Sequence, residues 1–138
     1  NQLPKSLVFT FGVGVAEIGT DMYRSPMLIL TEGNNIFNKE TRSYPVDVNF
    51  PRTHKKMITI EIPEGYKIKA IPENTKLIMS DNLGEYSFLV KQNGNTVQIS
   101  EVFKINFQII PVNYYAGLKE VYKKLVEKNA EKIVLEKI

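Results

Sequence analysis

Between Gly84 and Ile110 apolar side chains recur at every second position on both sides of an Asn-Gly pair. Tyr86, Phe88 and Val90 lead into Gln92-Asn93-Gly94-Asn95, and Val97, Ile99, Phe103, Ile105, Phe107 and Ile109 lead out at one parity. Successive side chains of a strand point to opposite faces, so period two marks a sheet with one face on a core. Asn-Gly favours a type I′ turn, whose twist matches that of the strands it joins. Glu101 interrupts the descending run. A bulge, a rim position or a bend between sheets would each explain it. At about 3.3 Å per residue the run would span on the order of 40 Å, too long for one flat strand, which favours the bend.

The same period organises most of the remaining chain. Leu7, Phe9, Phe11, Val13 and Val15 alternate over Ser6 to Val15. Asp21 to Leu30 is a weaker strand, because Pro26 cannot donate to a ladder. Thr31 to Arg42 is polar and reads as a loop. Val46, Val48 and Phe50 alternate before Pro51, and Ile58, Ile60 and Ile62 face away from Met57, Thr59 and Glu61. Pro63-Glu64-Gly65 forms a turn before Tyr66, Ile68 and Ala70. Lys76 to Ser80 is a short strand, followed by a turn over Asp81 to Gly84.

The period changes once. Tyr114, Leu118, Val121 and Leu125, with Tyr115, Tyr122 and Val126 beside them, fall at spacings of three and four. This predicts an amphipathic helix at about 113–129, with Asn113 as its N-cap and Lys123, Lys124 and Lys128 near the end that favours cations. Strand chemistry returns at about 132–138 and could add to an open sheet edge. The expected fold is a single mostly β domain over 1–138. It is an antiparallel β-sandwich, immunoglobulin-like in general architecture, with one C-terminal amphipathic helix and a short last strand.

Chemistry is harder to place. The 138 residues contain no Cys and one His, His54, which removes thiol nucleophiles, disulfides and thiolate metal sites. No catalytic residue, metal or cofactor is expected. A carboxylate pair could serve a glycosidase, but the acidic residues lie in turns or on the helix, as solvated charges do. Gly12-Val13-Gly14 fails the dinucleotide fingerprint because Glu17 stands where the third Gly belongs. Asp81-Asn82-Leu83-Gly84-Glu85 is too short for a calcium loop of the EF-hand kind. Arg52-Thr53-His54-Lys55-Lys56 is the densest basic patch, yet no aromatic is interleaved and alternate side chains point apart, so nucleic acid is not an expected partner. A net charge of +3 is too mild to suggest one. No apolar run approaches the roughly 20 residues of a membrane-spanning helix. What remains is a binding surface, with Tyr23, Tyr44, Arg52, His54, Lys55 and Lys56 as candidates. Asn1 in place of Met suggests a piece of a longer protein.

Several short motifs occur together: Asn35-Ile36-Phe37, Arg42-Ser43-Tyr44-Pro45-Val46-Asp47, Ile62-Pro63-Glu64-Gly65-Tyr66 and Ile71-Pro72. Gly94, then Pro111 with Tyr114-Tyr115 and Leu118, and the closing Lys132-Ile133-Val134-Leu135 complete the set. In that order they resemble the uncharacterised domain at the C-terminal end of transglutaminase-like proteins of Bacteroidetes-type bacteria. Ile36 departs from the Pro that family often carries. The resemblance implies a β-sandwich accessory domain, periplasmic, secreted or envelope-associated, following a papain-like core that holds the catalytic Cys, His and Asp. Docking on that core or on an envelope protein, through the Thr31 to Arg42 loop, the basic patch or a sheet edge, is the leading expectation. A carbohydrate- or cell-wall-binding module using Tyr23, Tyr44 and surface amides is the alternative.

Overall fold

The computed structural model describes residues 16–27 and 30–138, so the strand expected over Ser6 to Val15 and the Gly12-Val13-Gly14 segment lie outside the described residues. Among the described residues, ten strands and one α-helix follow in order: β1 (Ala16–Ile18), β2 (Asp21–Arg24), β3 (Val46–Asp47), β4 (Arg52–Glu61), β5 (Tyr66–Ala70), β6 (Thr75–Ile78), β7 (Gly84–Asn93), β8 (Thr96–Ile105), β9 (Ile109–Ile110), α1 (Tyr115–Ala130) and β10 (Ile133–Lys137). The protein is mostly β, as the alternation predicts, and every pairing among the described strands is antiparallel.

Two four-stranded sheets, ordered β1-β2-β10-β5 and β4-β8-β7-β6, contribute to one sandwich-like core, and β3-β9 forms a short ribbon. Met22, Ile133 and Leu135 of the first sheet share a buried cluster with Tyr86, Phe88, Val97 and Ile99 of the second and with Leu118 and Leu125 of α1. The last strand does not add to an edge. It lies between β2 and β5, pairing Leu135 with Met22 on one side and Ile68 on the other. The first sheet is therefore assembled from distant parts of the chain, and β5 joins it only through β10.

Local chemistry accounts for the turns. Tyr66 N–H closes a turn on Pro63 O, and Gly65 takes the φ of +83° that a side chain would resist. The hairpin loop is Gly94-Asn95 rather than Asn93-Gly94, since Asn93 still pairs with Thr96. Positive φ falls on Gly94 and not on Asn95, the pattern of type II′ instead of the expected I′. β6 covers Thr75–Ile78, starting one residue and ending two residues earlier than expected, and a 3-10 turn at Ser80–Asn82 leads to β7.

Two other expectations need correction. Asn113 is not the N-cap: it lies inside a 3-10 turn, Val112–Tyr114, that leads into α1, and Tyr114 holds the cap position without a side-chain bond. The inward parity of β8 ends at Ile105, so Phe107 and Ile109 are exposed while Ile110 is buried. Asn106 and the two residues after it carry the chain from β8 to the ribbon, where Val48 N–H bonds Gln108 O. Phe50 is exposed as well, because Asn49 at φ +67° breaks the parity of Val46 and Val48. The bend between sheets exists, five residues past Glu101.

Candidate functional site

Arg52, His54 and Lys56 share the parity of Ile58 and Ile60, so they start from the inner face of β4, while Lys55 shares the outer face with Met57. Register then decides the fate of Lys56, which stands directly opposite Glu101, itself opposite Phe88. Glu101 is 2% exposed. One carboxylate oxygen lies 3.1 Å from Lys56 Nζ. The other accepts from Tyr86 Oη at 3.1 Å and from Asn129 Nδ2. Lys56 Nζ also donates to Leu30 O at 2.9 Å and to Glu32 Oε1 at 3.4 Å. Fully buried Asn129 completes the circuit by accepting Glu32 N–H at 2.9 Å through Oδ1.

A buried carboxylate without such donors would be too costly to keep ionised, so the three donors explain its presence in the core. Burial first, and the Glu101 charge second, push the Tyr86 hydroxyl well above its ordinary range. Burial and the Glu32 carboxylate push Tyr122 in the same direction. Glu101 is thus neither a rim residue nor a bulge. It ties β4, β7, β8, the last turn of α1 and the loop after β2 into one seam. Lys56, only 18% exposed, is drawn into that seam and leaves the basic patch.

Thr31 to Arg42 is a strap over α1. Phe37 is buried between Tyr115 and Tyr122, edge-on to both at 6.2 and 5.3 Å between ring centres. Asn35 Oδ1 accepts Phe37 N–H, and its Nδ2 donates to Lys119 O on the helix. Lys39 O accepts from Tyr115 Oη and Lys119 Nζ, and the Arg42 guanidinium lies 5.2 Å from the Tyr115 ring centre. The surface candidates fall on separate elements. Tyr23 is half-buried in β2, opposite Val134; Tyr44 precedes β3 and is 80% exposed; His54 and Lys55 are exposed; Arg52 is half-buried, its Nε without a hydrogen-bond partner among the described residues. No group of three or more His, Asp or Glu placed to hold a metal occurs among the described residues.

On the opposite edge of the second sheet, β6 and α1 enclose a groove of about 520 Å³. Leu77, Met79 and Leu83 form one wall, and Leu118 and Val121 the other. Ile78, 71% exposed, stands at its rim. Tyr114 Oη donates to Asp81 at the end of the groove, and that bond raises the hydroxyl above its usual range. Gly117 is the third residue of α1, where glycine is a poor helix former. A Cβ there would meet nothing within 4 Å, so packing within the domain does not require the glycine. It is one of the residues that line the groove. Gly117 was visible as a glycine inside a helical pattern, but its meaning depends on where β6 lies.

The chain belongs to the DUF3858 family, a domain of unknown function with a solved structure, whose model matches residues 20–135. Comparison with curated proteins finds no match. Among solved structures it is similar to the crystal structure of a "putative protease" from Parabacteroides distasonis, with 14% identity and a TM-score of 0.57. The match covers 71% of this chain and 19% of that protein. At that identity the likeness shows the fold.

Proposed function

We propose that this DUF3858 domain is a non-catalytic accessory module that docks, through the groove between β6 and α1, on a transglutaminase-like core of the same longer polypeptide. Gly117 carries this reading: a helix position without a side chain, beside an apolar floor, serves a close approach from outside. The multidomain setting rests on the sequence resemblance and on a structural neighbour of which the fold is 19%. The chemistry belongs to the core and not to this domain. The buried acid of the domain has both oxygens held by structural donors, and residues in that state hold a fold together. The same resemblance supports a periplasmic, secreted or envelope location.

Gly117→Arg fills the groove from one wall, and Ile78→Asp charges its rim. In the longer polypeptide both are expected to lower the melting temperature of the attached core and speed its proteolysis, while the isolated domain melts no lower than before and, with Gly117→Arg, slightly higher. A core that melts unchanged with both substitutions would contradict docking at this groove.

A carbohydrate- or wall-binding role is the second reading, favoured by exposed Tyr44, Phe50 and Phe107 around the β3-β9 ribbon. Retention of the isolated domain on peptidoglycan or polysaccharide, lost on Tyr44→Ala and Phe107→Ala, would support it.

A further inference from the structure

The two ends of the second sheet are unequal. Among the described residues, the unpaired edge at β6 is four residues long and that at β4 is ten, from Arg52 to Glu61. A long edge strand is a template for another strand unless charge, proline or a bulge blocks it. On the outer face of β4 the charged side chains are Lys55 and Glu61, one on each side of the uncharged stretch Met57-Ile58-Thr59-Ile60. Met57 is 72% exposed, and among the described residues β4 forms a ladder with β8 alone.

We infer that this edge pairs with β4 of a second copy of the chain, antiparallel about a two-fold axis at Ile58, joining the two sheets into one. The sequence of the edge selects both partner and register. With Ile58 on the axis, Lys55 stands opposite Glu61 of the second copy and Met57 opposite its Thr59, each pair occurring twice. Lys55, Met57, Thr59 and Glu61 all point to the outer face, so the paired side chains meet on one side. Lys55 and Glu61 are exposed and have no ion-pair partner among the described residues. Opposite charges placed directly across a ladder attract, and like charges repel. A one-residue slip would set outer residues against inner ones. A slip of two would put Lys55 against Thr59 or Pro63 and break both charge pairs. Pro63, without an N–H, ends the ladder in the preferred register. This surface is separate from the groove at β6, and the inference does not depend on the docking proposed there.

Sedimentation of the 138-residue chain over a concentration series tests it. Mass is expected to rise from one copy toward two. Lys55→Glu and Glu61→Lys should each weaken association by about tenfold, since each turns two attractive pairs into repulsive ones. The double variant Lys55→Glu with Glu61→Lys should restore it, because the same pairs form with signs exchanged. Both positions are exposed, so the melting temperature serves as a control for folding. A monomer at every concentration would overturn the inference. So would a dimer insensitive to the single changes, or one that both weaken and the double change fails to restore.

Discussion

Two places in the second sheet treat space in opposite ways. At the hairpin β7-β8, a Cβ on Gly84 would overlap the Lys104 carbonyl oxygen, and four residues along the same ladder the Glu101 carboxylate has both oxygens occupied. At the groove, a Cβ on Gly117 meets nothing, and an apolar floor stays open beside it. The same residue type is thus required by the interior at one site and unexplained by the interior at the other. A seam with every group satisfied holds the domain together. A groove with room to spare is where something else can be accommodated.

Removing the charge at the seam should have the largest effect. Glu101→Leu takes the acceptor from Tyr86 and Asn129 and leaves Lys56 with Glu32 and Leu30 O; the expected loss is about 3–5 kcal/mol, measured by denaturant unfolding. A loss below about 1 kcal/mol would mean that the seam is ornamental. Next, Gly84→Ala should destabilise by roughly 2–3 kcal/mol, because backbone rather than a mobile side chain stands in the way.

Tyr86→Phe removes one donor from the seam and should cost about 1–2 kcal/mol near neutral pH. It also has a pH signature. The folded-state hydroxyl titrates above its unfolded value of about 10, so its contribution is complete below pH ~10 and declines as pH rises further, when the unfolded chain releases a proton that the fold retains. The parent protein should therefore lose stability above pH ~10 at up to about 1.4 kcal/mol per pH unit from this group, a slope reduced in the variant. Gly117→Ala should give the smallest effect and the opposite sign, a gain of about 0.5–1 kcal/mol in the isolated domain. A loss there would show that the helix needs the glycine for its own packing.

Period and turn chemistry made much of the fold legible. Tyr86, Phe88, Val90, Val97 and Ile99 are buried as their alternation predicts, and the stripe from Tyr115 to Leu125 faces the core. Local signals failed where distant segments meet. Glu101 was visible as an interruption, but only the pairing of β4 with β8 shows that Lys56 stands across from it. Phe37 sits in a polar loop with no period to reveal it, and α1 supplies the aromatic slot that buries it. β10 looked like an edge strand because nothing local says that β2 and β5 need a strand between them. The candidate site was the least legible part. Of the basic patch, Lys56 turns inward into the seam, and the groove became apparent only when β6 and α1 were placed side by side.

The most direct test compares backbone hydrogen exchange in the isolated domain and in the longer polypeptide proposed to contain it. Docking at the groove predicts slower exchange over residues 75–83 and 113–124 in the longer protein, with the hairpin residues 84–105 unchanged. Equal exchange over β6 and the start of α1 in the two proteins would contradict it.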